Sequence, residues 1–507
     1  MSLVLSRLFT GPAPRRWVAF VAGALLVLAF QPFALVWLAP VSLACLMLLL
    51  GSASPRQAAW TGFSFGIGLF IAGTYWLYIS LNFMGGLWPP IALLMMFVFV
   101  ALLAAFVALA SYLAVRIAPV DDVLRWLVAF PALWALTEWL RGWLFTGFPW
   151  LSIGYSQVET FAGALAPLIG VYGVSWATAV GAGLIVCVIR ARIFWRVAAL
   201  AAAAVAFIVL SGVQDYPWTT GTGNKLRVTL VQGAVAQDLK WTPEQLEPTL
   251  QLYTELTRAQ GQRDLIVWPE AAIPALPFEI PEFLQELHDS MVASNTQLFA
   301  GILTYEVDRG EFKNTLWAIG PDERMYHKRH LVMFGEYFPL PRFVRNYMRI
   351  MNLPSENIAA GGDDQPLLMA KGIPVAASIC YELAFGAEQL PFLPEAQLLV
   401  NVSNDGWFGD SIAPHQHLQI GQMRALESGR YLLRATNTGV TAIVDPRGHV
   451  VDHIPQFVPG VLNGEVEGYI GATPYVRVGN WPLISGLTLL FLAAVFAGRA
   501  RGGNRNA

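Results

Sequence analysis

The sequence predicts a polytopic α-helical membrane domain of eight transmembrane helices joined to one α/β domain, and three observations predict it. Of 507 residues, 55% are hydrophobic and only 13% are charged, against roughly 25% charged in an ordinary soluble domain. Apolar stretches long enough to cross about 30 Å of hydrocarbon recur through the N-terminal half and return once near the C-terminus. Between them the pattern changes: "DYPWTTGTGNK" supplies turn formers after Gln214, and apolar character resumes only after "GATPYVRVGNWP". The expected division is therefore 1–213 with seven transmembrane helices, 214–480 as the α/β domain, and 481–507 as the eighth helix and a tail.

The expected spans lie near 16–30, 33–51, 57–81, 88–116, 123–141, 166–189, 193–212 and 481–498. Only "QPF" separates the first two, which also fit one broken hairpin. No small-x-small site follows the first apolar run, so a cleaved leader is not expected. In "GFSFGIG" (62–68) small residues recur four apart, a spacing that lets helices approach closely. The stretch "TGFPWLSIGYSQ" (146–157) is aromatic, and Trp143, Phe148, Trp150 and Tyr155 suit an interfacial belt around an entrance or plain anchoring.

Orientation follows from the arginines, because short cytoplasmic loops retain positive charge. Arg7, Arg15, Arg16, Arg56, Arg116, Arg125, Arg190, Arg192, Arg196, Arg499, Arg501 and Arg505 all fall on one side of this arrangement. Both termini are then cytoplasmic, and residues 213–480 lie outside the inner membrane, in a bacterial periplasm. Net charge is −2 with no block of basic residues, so no nucleic-acid partner is expected.

Within 214–480, short apolar runs alternate with amphipathic segments. The runs at 226–232, 264–268, 297–303, 314–320, 374–380, 397–403, 439–445 and 461–467 read as strands, several of them fully buried. Thr242, Pro243 and Gln245 read as a capping-box helix start, and 414–435 has helical spacing. Mixed sheets with helices outside, and functional residues at strand ends, follow from that alternation. No internal repeat is evident.

Of the three cysteines, Cys45 and Cys187 fall inside expected spans, leaving Cys380 alone in the exported region. A disulfide framework is excluded there. Three strand-end segments each carry one ionisable residue in an apolar or turn-like setting: Glu270 in "LIVWPEAAIP", Lys328 in "YHKRHLVMFGEYFP" and Cys380 in "ASICYELAF". Each alone also fits a structural role, as an inert buried thiol, a helix cap or a solvated loop charge. Together they make a nucleophile with its helpers. A thiol near its ordinary pKa is mostly protonated at neutral pH, so Cys380 needs a base. Glu270 fits that base, and Lys328 the cation facing a developing oxyanion. No metal or cofactor is required. His415 and His417 stand two apart, on different sides of a helix, and read as surface or capping residues.

The flanks "VWPEAAIP", "YHKRHLVMFGEYFPL", "ICYELAF" and "NVSNDGWFGDSIAPHQHLQIGQMRALESGRYLLRATNTGVTAIVDPRG" resemble the nitrilase, or carbon–nitrogen hydrolase, superfamily. With the multi-span N-terminal half and the single C-terminal span, they resemble its apolipoprotein N-acyltransferase family over nearly the whole chain. The resemblance implies an αββα-sandwich nitrilase-like domain with Glu270 as general base, Lys328 as oxyanion cation and Cys380 as nucleophile. It implies supporting roles for Glu336, Tyr381, Glu382, Trp241 and Asn314, with the Tyr381 N–H facing the oxyanion. The implied reaction moves an acyl chain from a phospholipid, through a cysteine thioester, to the α-amine of a diacylglyceryl-cysteine apolipoprotein. A monomer is expected. A membrane-anchored amidase or thioesterase shares the triad and stays open. A transporter with an inactive domain is disfavoured, because ionisable residues sit near span ends.

Overall fold

A computed structural model describes residues 12–117, 123–190, 197, 201, 204–205, 208–213, 216–333, 335–337 and 358–503. The chain forms two compact units. One comprises Met1–Pro217, Ser411–Gln419 and Thr473–Ala507, the other Trp218–Asp410 and Ile420–Ala472.

The first unit is helical. Three helices are long and apolar enough to cross a membrane, Pro12–Ala29, Pro89–Arg116 and Phe161–Arg190. Pro55–Thr74 and Trp76–Met84 make a fourth only if counted as one span, bent by 55°. Among the described residues, three or four of the eight expected spans therefore meet that length as continuous apolar helices. Leu38–Leu50 has 13 residues, which at about 1.5 Å each fall short of about 30 Å of hydrocarbon. The expected 123–141 span is a π-turn, Leu124–Ala129, followed by the 12-residue helix Phe130–Arg141. Pro131, lacking an N–H, stands where the ordinary α ladder begins. The final apolar helix covers Trp481–Ala497, and the expected 193–212 span lies mostly outside the described residues.

Local sequence explains the helix contacts. Ser54 caps Pro55–Thr74 by accepting from the Gln57 N–H at 3.4 Å, while Gln57 Oε1 accepts from the Ser54 N–H at 3.0 Å. A Cβ on Gly62 would lie 2.2 Å from Ser111 Oγ, and one on Gly66 2.7 Å from Ala104 Cα. The small-residue spacing therefore seats this helix directly on Pro89–Arg116.

The aromatic stretch departs from expectation. Trp143 is exposed, but Phe148, Trp150 and Tyr155 are buried. Arg141 draws the loop inward, its Nη1 donating to the carbonyls of Phe148 and Trp150, both at 2.6 Å. His417 likewise corrects its reading as a surface or capping residue: it is fully buried, 5.2 Å from the Trp150 ring.

The second unit holds two six-stranded mixed sheets. In chain order the strands are β1 Thr220–Gln232, β2 Leu265–Val267, β3 Gln297–Glu306, β4 Glu311–Ile319, β5 Arg324–His327, β6 Leu368–Ala370, β7 Ile373–Ile379, β8 Leu398–Ser403, β9 Leu432–Thr436, β10 Thr441–Val444, β11 Val450–Ile454 and β12 Gly460–Ile470. The sheet orders are β12-β1-β2-β3-β4-β5 and β6-β7-β8-β9-β10-β11. In each, an antiparallel strand flanks three parallel ones, and two antiparallel strands follow. The same backbone pairing is built twice from sequences showing no repeat, because strand pairing uses main-chain groups common to all residues.

Inner faces meet through buried contacts such as Gln232 Oε1, which accepts from Thr441 Oγ1 at 2.6 Å and Thr436 Oγ1 at 3.1 Å. On the outer face of the first sheet, Leu250, Tyr253, Leu284, Leu287 and Met291 of two helices pack on Val231, Ile266, Leu298 and Ile302. The helix beginning at Pro243 starts where expected, but Thr242 makes no side-chain cap; its hydroxyl donates to the Leu239 carbonyl at 2.9 Å. The helix expected over 414–435 ends at Ser428. Gly429, with φ +64°, turns the chain, and "LLRAT" runs on as the fully buried β9.

Candidate active site

Parallel strands deliver their side chains to one edge. After β2 the buried run continues through Trp268, and Glu270 follows, itself mostly buried. Its backbone passes close over β3: a Cβ on Gly301 would lie 2.3 Å from the Pro269 carbonyl oxygen and 2.6 Å from the Ala271 nitrogen. No side chain fits there. The Glu270 carboxylate is held at both oxygens. Oε1 accepts from Asn314 Nδ2 at 2.7 Å, and Oε2 from the Asn404 N–H at 2.7 Å.

Lys328 leaves the end of β5, its N–H donating to the Asn314 carbonyl at 2.8 Å. Its side chain is 1% exposed, with Nζ 2.7 Å from Glu336 Oε1 and 3.7 Å from Glu270 Oε1. Asn314 Nδ2 also donates to Glu336 Oε1 at 3.3 Å. Burial alone would depress the Lys328 ammonium, but the charges of Glu336 and Glu270 outweigh it and raise its pKa. It stays charged.

Cys380 is the first residue after β7 and opens the 3₁₀ turn Cys380–Ala384. Its φ is +54°, in the left-handed region that side-chain-bearing residues seldom occupy. The residue is half-buried. Burial pushes the thiol above its ordinary value; the charges of Glu270 and Asp405 add to this, while Lys328 and a hydrogen bond with Ser403 oppose it. The thiol is thereby held in its neutral form.

Glu382 ties two of these segments together. It accepts from the Ile379 N–H at 2.6 Å, the Arg329 N–H at 2.6 Å and the His330 N–H at 3.1 Å. Tyr326 OH reaches both its oxygens at 3.1 Å. One buried carboxylate thus locks the residues following Lys328 to the turn that bears Cys380. Tyr381 is half-buried, its ring 5.0 Å from Phe385. Trp241 is 48% exposed.

Several residues here escape a reading of the sequence. Next to Trp241, Lys240 is buried, and its Nζ donates to the Glu270 carbonyl oxygen at 3.2 Å. Under Cys380, Asn401 Nδ2 donates to the Cys380 carbonyl at 3.4 Å, and Ser403 Oγ donates to Asp405 Oδ1 at 2.7 Å. Arg434 Nη2 closes this buried network on Asp405 Oδ2 at 2.7 Å. The polar run "NVSND" at the end of an apolar strand was the available signal.

Residues 22–184 match the apolipoprotein N-acyltransferase N-terminal domain family, and residues 227–475 match the carbon-nitrogen hydrolase family. A protein of Methylococcus capsulatus named apolipoprotein N-acyltransferase is 44% identical over 485 residues, 96% of each chain. Proteins of the same name from Pseudomonas putida and Nitrosomonas europaea are 41% and 43% identical, covering 96% and 95% of this chain and 97% and 98% of theirs. With likeness of that extent across both halves, the chain belongs to the apolipoprotein N-acyltransferase family.

Proposed function

We propose that this protein transfers a fatty acyl chain from a phospholipid, through a thioester on Cys380, to the N-terminal α-amine of a diacylglyceryl-cysteine apolipoprotein. Family membership supports the reaction class. The observation that carries the residue roles is the meeting of Glu270, Lys328 and the Cys380 turn at the strand ends of one unit.

In the first half-reaction Cys380 sulfur attacks an ester carbonyl of the phospholipid. Glu270 takes the thiol proton as the C–S bond forms and returns it to the departing lysophospholipid oxygen as the C–O bond breaks. The ammonium of Lys328 and the Tyr381 N–H stabilise the oxyanion between those events. Glu336 and Asn314 hold Lys328 and Glu270 in register. In the second half-reaction the α-amine attacks the thioester. It must be neutral, so its ammonium proton passes to Glu270 and on to water. As the C–N bond forms and the C–S bond breaks, Glu270 takes the second amine proton and returns it to the departing sulfur, restoring the thiol. A thioester is the less stable acyl compound, so no ATP is needed.

The helical half then serves as a platform for two substrates whose acyl chains stay in lipid, holding the reaction at one membrane depth. The reading includes eight transmembrane helices, a bacterial inner-membrane location, cytoplasmic termini, a periplasmic α/β domain and a monomeric protein. The arginine distribution and the apolar helices support it.

The test is product mass. Protein incubated with phosphatidylethanolamine vesicles and a diacylglyceryl peptide with a free N-terminus adds one acyl chain to the peptide, and Cys380→Ser protein adds none. A peptide left unmodified by wild-type protein, while phospholipid is hydrolysed, assigns the amidase or thioesterase reaction instead.

A further inference from the structure

Lys240 is a buried cation that the proposed mechanism does not use. It ends a tight turn in which its own N–H donates to the Ala236 carbonyl at 3.0 Å. Its side chain, 1% exposed, sets Nζ 3.2 Å from the Glu270 carbonyl oxygen. Three residues earlier, Gln237 Oε1 accepts from Asn404 Nδ2 at 2.7 Å, and the Asn404 N–H is the donor on Glu270 Oε2 at 2.7 Å. One turn of chain therefore reaches Glu270 from two directions, through the backbone and through the carboxylate's own hydrogen-bond partner.

Burying an ammonium costs several kcal/mol unless an opposite charge offsets it, and a neutral donor would satisfy a carbonyl oxygen equally well. The nearby negative group is Glu270 itself. Burial lowers the Lys240 pKa to about 8, with the Glu270 charge opposing, so the cation persists at neutral pH. Among the described residues, the other charged or titratable groups around Glu270 are Lys328, Cys380, Glu336 across Lys328, and Asp405 beyond Cys380.

We propose that Lys240 is a positioning residue for Glu270, fixing its backbone and holding a positive charge close to the group that abstracts the proton. This rests on the reading of Glu270 as general base. The sign of the effect follows from charge: a buried ammonium on the Glu270 backbone carbonyl favours a negative charge on that residue over a neutral one, so removing the ammonium makes the carboxylate easier to protonate. The acidic limb of the pH–rate profile, where Glu270 loses its ability to take a proton, then moves to higher pH.

The experiment follows the rate of Cys380 acylation from phospholipid vesicles by intact mass across pH, using the full chain in detergent. Lys240→Met removes both charge and donor. Lys240→Gln keeps a donor without charge, and Lys240→Arg keeps both. The expected result is an acidic limb about one pH unit higher in the Met and Gln variants, a roughly tenfold lower rate on that limb, with the Arg variant at the wild-type midpoint. Should Lys240→Met fail to fold, the Gln and Arg variants decide alone. Rates that fall equally at every pH with the midpoint unchanged overturn the proposal and leave Lys240 a structural prop. Glu270→Gln separates the two readings: if it acylates at the wild-type rate, the general-base assignment fails whatever Lys240 does; if it is inactive and the Lys240 midpoints do not move, only the present inference fails.

Discussion

The thiol of Cys380 is kept neutral first by burial and then by the charges of Glu270 and Asp405. Its alkylation by iodoacetamide should therefore rise with pH, reaching half its maximum above the midpoint of an unperturbed cysteine, about pH 8.5. Lys328→Met withdraws the charge that favours the thiolate and moves that midpoint further up; Asp405→Asn withdraws one that disfavours it and moves it down. Opposite movements contradict the electrostatic account. Glu382 offers a second test. Replacing it with Gln sets an amide NH₂ against main-chain N–H donors, so at least one buried donor goes unpaired. The cost is about 2 kcal/mol, seen as a lower unfolding temperature in detergent alongside lost acylation. At this scale the sequence exposed the residues whose chemistry is unusual for their setting, a lone thiol and charges at the ends of apolar strands. It did not expose Lys240 or Arg434, because only the folded chain puts them beside Glu270 and Asp405.

Secondary structure was legible where a buried run stood between turn formers. Each expected strand formed, whereas the short β5 and β6 and the edge strand β11 carried too few residues or too little apolar pattern to stand out. The helix expected to continue to 435 failed at Gly429, since helical and strand spacing are indistinguishable over so short an apolar stretch as "LLRA". Membrane elements were less legible still. Apolar length registers solubility in lipid and not straightness, so the break before Pro131 and the bend of 55° near Thr74 left little trace in hydropathy. The glycine spacing was the better guide, and it yields a paired prediction. Gly62→Leu must displace Ser111 and should cost about 1–3 kcal/mol. Gly486→Ala, in a helix with nothing within 4 Å of the added carbon, should be neutral or slightly stabilising. Equal effects in thermal unfolding assays would contradict the packing assigned to Gly62.

For the molecule as a whole, the arginine distribution supports the proposal that the α/β unit is periplasmic. A cysteine introduced at Val451, 61% exposed on β11, should react with a membrane-impermeant maleimide in cells whose outer membrane alone is permeabilised. Labelling that requires rupture of the inner membrane reverses the orientation. The central claim is that one thiol carries the acyl chain between two lipid substrates, and intact-mass analysis of the purified protein tests it most directly. With phospholipid alone, the protein should gain the mass of one fatty acyl chain on Cys380, keep it in water, and lose it when a diacylglyceryl peptide with a free α-amine is added. No adduct, or an adduct lost to water as fast as to the peptide, would contradict the account.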